Sequence, residues 1–280
     1  MRVLVSGLSG FTGHYLGIAL AEHGMEPVSL DVDITDKEAV QDAVAQIHPD
    51  MVVHLAAVAF VHSDDYESFY RVNQLGTFNL LDALASHAQG TPVLLASSAN
   101  IYGSTIGGCI DEDARPNPTN HYAISKWAME MGAQQWAGSL PLMIVRPFNY
   151  TGVGQQERYL IPKIVEHFKR RAPRIELGNL DVNRDFGDVR SVVDAYVRLL
   201  HQPFTKSALN VCSGATHTIR QVIDICRGLT GHDIEVAVNP AFVRSNEVAL
   251  LAGNPGRLQA ALPDWKPFRL EETLAWMLEN

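Results

Sequence analysis

Short runs rich in Val, Ile and Leu recur along the chain, each followed by a longer stretch whose apolar residues return every three or four positions. The runs are "VLVSG" (3–7), "EPVSL" (26–30), "MVVHLAA" (51–57), "PVLLAS" (92–97) and "LMIVRP" (142–147). Their length and near-continuous apolarity predict strands covered on both faces of a parallel sheet. The stretches between them, 12–23, 37–47, 66–88 and 119–138, read as helices. Strands and helices alternating at this interval predict an α/β fold, a doubly wound parallel sheet of Rossmann type.

Beyond residue 150 the rhythm changes. Helices are expected near 159–171, 189–201, 218–229 and 270–279, with strands at "IELG" (175–178), "LNVCS" (209–213) and "IEVAV" (234–238). Residues 1–150 and 183–212 are expected to form the large sheet domain. Residues 151–182 and 213–280 would form a smaller C-terminal substrate-binding region.

Composition narrows the function classes. With 46% apolar and 19% charged residues over 280 positions, the chain has an ordinary soluble balance and enough apolar material for a sizeable core. No apolar run reaches the roughly 18 residues of a membrane span. The opening "MRVLVSGLSG" reads as a strand entering a turn, not as a signal peptide. Cys109, Cys212 and Cys226 show no CxxC pairing, so neither a disulfide framework nor a zinc site is expected, and a reducing cytoplasmic setting fits. The eleven histidines form no HExxH or other ligand spacing, so no metal is expected. A net charge of −9 argues against a nucleic-acid partner but leaves room for a small anion wherever arginines cluster.

"SGLSGFTG" places Gly7, Gly10 and Gly13 directly after the first strand and before a helix. This is the logic of a dinucleotide site. Gly7 permits the tight turn, Gly10 lets the backbone approach a pyrophosphate, and Gly13 allows close helix packing. The phosphates would rest on the free N–H groups of the helix N-terminus, with Phe11 and Thr12 at the loop tip. Beyond the second strand, Asp31 stands where a carboxylate can accept from adenosine ribose hydroxyls and repel a 2′-phosphate. Asp33 and Ile34 are the alternative neighbours of the adenine, and no Lys or Arg follows until Lys37. The cofactor expected is NAD(H) or NADP(H), leaning to NAD(H).

Tyr122 and Lys126 lie four apart on a helical stretch and so share a face. An ammonium beside the phenol is expected to lower the tyrosine pKa, readying it to exchange a proton with a substrate oxygen. "ASSANIYG" (96–103) adds a hydroxyl at the end of a strand. Ser98 would hold developing charge on that oxygen, and Ser97 is the neighbour expected to face the sheet.

These residues resemble the extended short-chain dehydrogenase/reductase family over essentially the whole chain. The matching pieces are "SGLSGFTG", "HLAA" (54–57), "VNQLGT" (72–77), "SSANIYG", "YAISK" (122–126), "RPFNYTGVGQ" (146–155), "RDFGDVRSVVDAY" (184–196), "NVCSG" (210–214) and "LEETL" (270–274). The resemblance implies a catalytic set of Ser98, Tyr122 and Lys126, with Lys126 also on the nicotinamide ribose. It places Asn73 near the nicotinamide and Leu55, Ala56 and Ala57 along the cofactor channel. Family members act on nucleotide-linked sugars as epimerases, dehydratases or 4-keto reductases. Dehydratases carry acidic residues just after the catalytic Ser or Thr; here those positions are Ala99 and Asn100.

With "VRSNEV" (243–248) and "LPDWKP" (262–267), the chain looks most like the reductases of GDP-4-keto-6-deoxymannose, and epimerases are the alternative. Ser245 departs from a usual proline, Asp264 from a common glycine, and the second-strand region is short. The expected substrate is a nucleotide-diphosphate sugar, held by Asn100, Asn149, Arg184, Arg244 and Glu247 besides Ser98. The guanidiniums of Arg184 and Arg244 suit its phosphates, with an Arg184–Asp185 surface ion pair as the bland reading. Arg146 and Arg190 read as structural partners. The resemblance also implies a homodimer through helices 66–88 and 119–138.

Overall fold

The structure, a computed structural model, describes residues 1–60, 65–103, 108–204, 207–242 and 250–280. In chain order the first half runs β1 (Arg2–Ser6), α1 (Phe11–Glu22), β2 (Glu26–Ser29), α2 (Lys37–Ile47), β3 (Met51–His54), α3 (Tyr66–Tyr70), α4 (Thr77–His87), β4 (Val93–Ala96), β5 (Cys109–Ile110), α5 (His121–Ala133), β6 (Leu142–Pro147) and β7 (Asn149–Thr151). The second half adds α6 (Leu160–Lys169), β8 (Arg174–Leu177), β9 (Asn183–Arg184), β10 (Phe186–Asp188), α7 (Val189–Leu199), β11 (Leu209–Val211), β12 (His217–Thr218), α8 (Ile219–Thr230), β13 (Glu235–Val238), β14 (Leu250–Gly253), α9 (Gly256–Ala261) and α10 (Leu270–Glu279).

The apolar runs assemble into one sheet, ordered β11–β6–β4–β3–β1–β2, with every pairing parallel. Strand alternation divides its side chains between two faces. Leu94 and Val145 meet Leu16 of α1 and Val193 of α7 on one face. Leu95 and Val52 meet Leu81 of α4 and Met129 of α5 on the other. This is the expected doubly wound arrangement. The chain leaves β1 first for β2 and then crosses back to β3, so the crevice at the carboxyl ends of β1 and β3 is the switch point where such sheets take ligands.

The structure corrects several expected elements. β2 is the sheet's edge, with Glu26 exposed and Pro27, Val28 and Ser29 half-buried, not a strand covered on both faces. Leu55–Ala57 leave the sheet and enter a loop. The stretch 66–88 is not one α-helix, because a π-helical turn over Arg71–Gly76 separates α3 from α4. A backbone bulge of this kind marks functional sites more often than ordinary helix. The stretch 119–138 is α-helical only over 121–133. The two- and three-residue strands β5, β7, β9, β10 and β12 were not foreseen, since so few residues show no period. Among the described residues, no helix is long and apolar enough to cross a membrane. A third apolar cluster joins α6, β8, α8 and α10 through Ile164, Phe168, Ile175, Val222 and Leu274.

Polar groups buried beneath the switch point form one chain of hydrogen bonds. His54, 1% exposed, bonds Ser6 Oγ through Nδ1 at 2.6 Å and Thr77 Oγ1 through Nε2 at 2.8 Å. Thr77 donates its only proton to the Asn73 carbonyl, so the imidazole must carry its own on Nε2. Ser6 then donates to Nδ1 and accepts from the Leu55 and Ala56 amides. Burial pushes the His54 pKa down to about 3, with the Lys126 ammonium adding to the effect.

Two outcomes are expected. A Cβ at Gly76 would lie 2.6 Å from Ile34 Cγ2, so Gly76→Ala should cost about 1–3 kcal/mol in denaturant unfolding. Because the unfolded chain takes up the His54 proton first, this group's contribution to stability falls as pH drops from 6.5 towards 3. His54→Asn, which keeps a polar partner for Ser6 without the titration, should show a shallower acid-side loss. Equal slopes in the two proteins would contradict a neutral buried imidazole.

Candidate active site

The glycine turn builds an anion cradle at the end of β1. Gly7 has φ +78°, and its Cβ position would meet the Ala56 amide nitrogen at 3.0 Å, so the turn tolerates no side chain. A Cβ on Gly13 would overlap the Gly7 carbonyl and Leu8. Around Gly10, the Gly7 carbonyl at 3.2 Å is the one atom beyond its chain neighbours, among the described residues, within 4 Å of a Cβ, so a side chain there would project into open space. Gly10 caps α1 without a side-chain bond, which leaves first-turn N–H groups for a phosphate. This arrangement fits a dinucleotide. The side chains of Phe11 and Thr12 do not stand free at a loop tip. Thr12 Oγ1 bonds the Tyr150 hydroxyl at 2.8 Å, and the Phe11 ring stacks on Tyr150 with centroids 6.3 Å apart.

At the adenosine end, Asp31 is exposed just past β2 and accepts from the Ser29 hydroxyl. Asp33 is held below the usual carboxylate range by the Thr35 amide and hydroxyl, with Arg71 contributing. Arg71 is the cation that reading along the chain missed, since it comes from the π-helical turn. Lys37 is paired with Asp82 at 2.9 Å. Ile34 is a core residue, 6% exposed and packed on Gly76.

Asn120 starts α5 by accepting from the Ala123 amide at 2.8 Å, which sets the helix phase. Tyr122 and Lys126 then share the buried face, 8% and 3% exposed. Lys126 Nζ donates to the Ala96 carbonyl at 2.8 Å, at the last residue of β4. An ammonium has three donors, so two are left for other acceptors such as ribose hydroxyls. Ser98 follows two residues on. Its hydroxyl accepts from the Asn100 amide and from Asn100 Nδ2, both at 3.1 Å, and caps the short 3₁₀ turn 99–102. Ser97 Oγ is buried without a hydrogen-bond partner among the described residues.

The electrostatics differ from expectation. Burial pushes the Tyr122 phenol up to about 12, against a lowering hydrogen bond from Ser98, and Tyr150 and Tyr159 add to the rise. Burial also brings Lys126 down to about 8, opposed by Glu130. Desolvation dominates the phenol, and what opposes it is the Ser98 hydroxyl, not the Lys126 ammonium that was expected to ionise it.

Asn73 is fully buried in the π-helical turn, and its amide is committed. It accepts from the Val58 amide at 2.8 Å and donates to the Val58 carbonyl and to Ser125 Oγ, both at 3.0 Å. Ser125 in turn donates to the Tyr122 carbonyl at 2.8 Å. Asn73 therefore braces the tyrosine helix against the Leu55–Val58 loop.

On the other wall, Asn149 is exposed at the start of β7. Arg184 on β9 donates to the Asn183 carbonyl at 2.8 Å. Asp185, fully buried, accepts from Ser213 Oγ at 2.8 Å and from the Gly214 amide at 2.7 Å, so it anchors the loop after β11. Arg244 and Glu247 lie outside the described residues. Two residues not singled out earlier, Tyr150 and Tyr159, sit close enough to Tyr122 to shift it. The first could have been found as the residue after Asn149 in "FNYTG". Tyr159 packs edge-on against Phe60, 5.9 Å between centroids, and the exposed Arg158 guanidinium lies 4.6 Å from the Phe60 ring centre.

Comparison with known proteins places this geometry. The family model for GDP-mannose 4,6 dehydratase matches residues 28–277. A GDP-6-deoxy-D-talose 4-dehydrogenase of Aggregatibacter actinomycetemcomitans is 34% identical over 92% of this chain and 90% of its own. A GDP-6-deoxy-D-mannose reductase of Pseudomonas aeruginosa is 34% identical over 95% of this chain and 92% of its own. Among solved structures, a Burkholderia cenocepacia J2315 protein provisionally described as an epimerase is 43% identical, with a TM-score of 0.94, over 99% of this chain and 97% of that one. RMD from Pseudomonas aeruginosa complexed with NADPH is 32% identical, with a TM-score of 0.92, over the same shares. The glycine cradle, the buried tyrosine–lysine face and matches over about nine-tenths of the chain or more agree: this chain belongs to the GDP-mannose 4,6 dehydratase family of extended short-chain dehydrogenase/reductases.

Proposed function

We propose that the protein reduces the 4-keto group of a nucleotide-linked 4-keto-6-deoxyhexose, GDP-4-keto-6-deoxymannose or a dTDP-linked equivalent, to make a deoxysugar donor. The observation that carries this reading is a buried phenol kept protonated at neutral pH, on the same helix face as Lys126 and beside Ser98. A protonated phenol is the form a reductase needs at the start of its reaction. A bound nicotinamide supplies the hydride to the sugar carbon. Tyr122 Oη gives its proton to the sugar oxygen, and the Ser98 hydroxyl steadies the charge that develops there. Lys126, fixed on the Ala96 carbonyl, orients the cofactor ribose and offsets charge left on the phenol.

The matched family model carries a dehydratase name, but Ala99 and Asn100 follow Ser98 and neither can move a proton between neighbouring carbons. The Asn100 amide is instead bonded to Ser98. In this reading Asn149, Arg184, Arg244 and Glu247 grip the nucleotide diphosphate, with residues 151–182 and 213–280 forming the sugar-side domain. Residues 1–150 and 183–212 hold the dinucleotide. Asp31 and Asp33 favour NAD(H) by repelling a 2′-phosphate. Arg71 works the other way, in keeping with the NADPH in the Pseudomonas structure. A nucleotide-sugar 4-epimerase with tightly held NAD is the second reading, favoured by the Burkholderia likeness.

The proposed homodimer has a candidate surface. Tyr66, Leu75, Ile124 and Met131 are exposed large apolar side chains on α3, the π-helical turn and α5. Pairing these helices with a second copy would remove them from water as a four-helix bundle.

Purified protein should oxidise NADH or NADPH one-for-one with 4-keto sugar, and Tyr122→Phe should lower turnover by about 10²–10⁴-fold with unchanged circular dichroism. No oxidation with either GDP- or dTDP-linked substrate would defeat the reductase reading, and sugar interconversion without net cofactor use would establish the epimerase. Sedimentation should return a dimer at micromolar concentration, converted to monomer by Leu75→Glu with Met131→Glu.

A further inference from the structure

One buried cation joins the segments that carry the proposed catalytic groups. Arg146, near the end of β6, is 6% exposed and its partner Glu130 is 3% exposed. Nε donates to Glu130 Oε1 at 3.1 Å and Nη2 to Oε2 at 2.7 Å, a fork that uses both carboxylate oxygens. Nη1 donates to the Tyr102 hydroxyl at 2.9 Å and to the Glu112 carbonyl at 3.2 Å. The Tyr102 hydroxyl in turn donates to Asn210 Oδ1 on β11 at 2.7 Å. Glu130 lies on α5 one turn beyond Lys126 and two beyond Tyr122. Tyr102 closes the 3₁₀ turn that Ser98 caps. A single guanidinium therefore ties the helix bearing the phenol and ammonium to the turn bearing the hydroxyl.

Glu130 has a second cation on its own helix face. Residues four apart face one another, and the Glu130 carboxylate already acts on the Lys126 ammonium. A buried carboxylate deprived of one partner binds another strongly, because desolvation makes an unpaired charge costly. Arg146 holds both Glu130 oxygens, and Lys126 Nζ goes to the Ala96 carbonyl instead. The ammonium also acts on His54 of β3, and Tyr122 lies one turn back on the same helix; burial keeps both neutral.

We propose that Arg146 and Glu130 are positioning residues: their fork sets the spacing of the Ser98 turn from the Tyr122 helix and, by occupying the Glu130 oxygens, holds Lys126 on the Ala96 carbonyl. This rests on the roles given above to Ser98, Tyr122 and Lys126. Breaking the fork from the arginine side leaves the carboxylate to draw Lys126 along the helix, away from the end of β4. Removing both charges leaves Lys126 in place but loosens the clamp.

The test compares the full-length protein with Arg146→Met and with the double variant Glu130→Gln/Arg146→Met, after circular dichroism shows which of them fold. Carbon-13 labelled lysine reports the Lys126 titration without substrate, with Lys126→Met assigning the signal. In the natural protein it should titrate near pH 8. In Arg146→Met it should move up by a unit or more, a shift of about tenfold in the proton affinity. The double variant should return it to the natural value or below, yet still lose about 10²-fold in kcat, since the misplaced turn and helix remain. An unmoved Lys126 titration in folded Arg146→Met would overturn the competition for Glu130. A folded double variant with natural kcat and an unchanged pH profile would overturn the clamp, and it decides the matter alone should Arg146→Met not fold. Because the titration needs no sugar, a natural protein inert towards 4-keto sugars would sink the proposed reaction without touching the lysine result.

Discussion

An ammonium buried where water hardly reaches, bonded to one backbone carbonyl at the end of β4, is the constraint around which the site is arranged. A charge in that position is unstable unless its surroundings are ordered, because burial penalises the ionised form. The protein meets the demand with polar groups that are themselves bonded. Ser6, His54, Thr77 and Asn73 form a chain under the switch point. Asn73 and Ser125 then reach the carbonyl of Tyr122 itself. Each link brings one secondary element to a defined distance from the next.

The same burial decides the proton chemistry. A nearby positive charge would ordinarily ease ionisation of a phenol, but loss of water opposes ionisation of both partners. Tyr122 is driven up and Lys126 down, so at neutral pH the pair begins as phenol and ammonium with its proton in hand. That state suits donation to a substrate oxygen. It also makes the environment of Lys126 sensitive to any carboxylate nearby, and Glu130 is such a group.

Sequence and fold meet most directly at the glycine turn. Gly7 occupies a positive-φ turn packed on the Ala56 amide, and Gly13 has no room for a side chain. Phe11 and Thr12, which flank the cradle, lock it to Tyr150 on β7. The strand that follows β6 is thereby coupled to the cofactor loop, and Tyr150 touches both the cradle and the surroundings of Tyr122.

By itself the sequence determined what is local: the alternation that makes a doubly wound sheet, the glycine spacing after β1, and the four-residue interval that puts Tyr122 and Lys126 on one helix face. Such features depend on backbone periods and on conformations that only glycine adopts readily, so neighbours in the chain reveal them. The tertiary structure alone decided which polar groups lost water and what they then bonded. Edge exposure of β2, the π-helical turn that buries Asn73, the approach of Arg71 to Asp33, the rise of the Tyr122 pKa and the Arg146–Glu130 fork all join residues distant in sequence. Desolvation and long-range pairing are properties of the packed chain, and no local pattern records them.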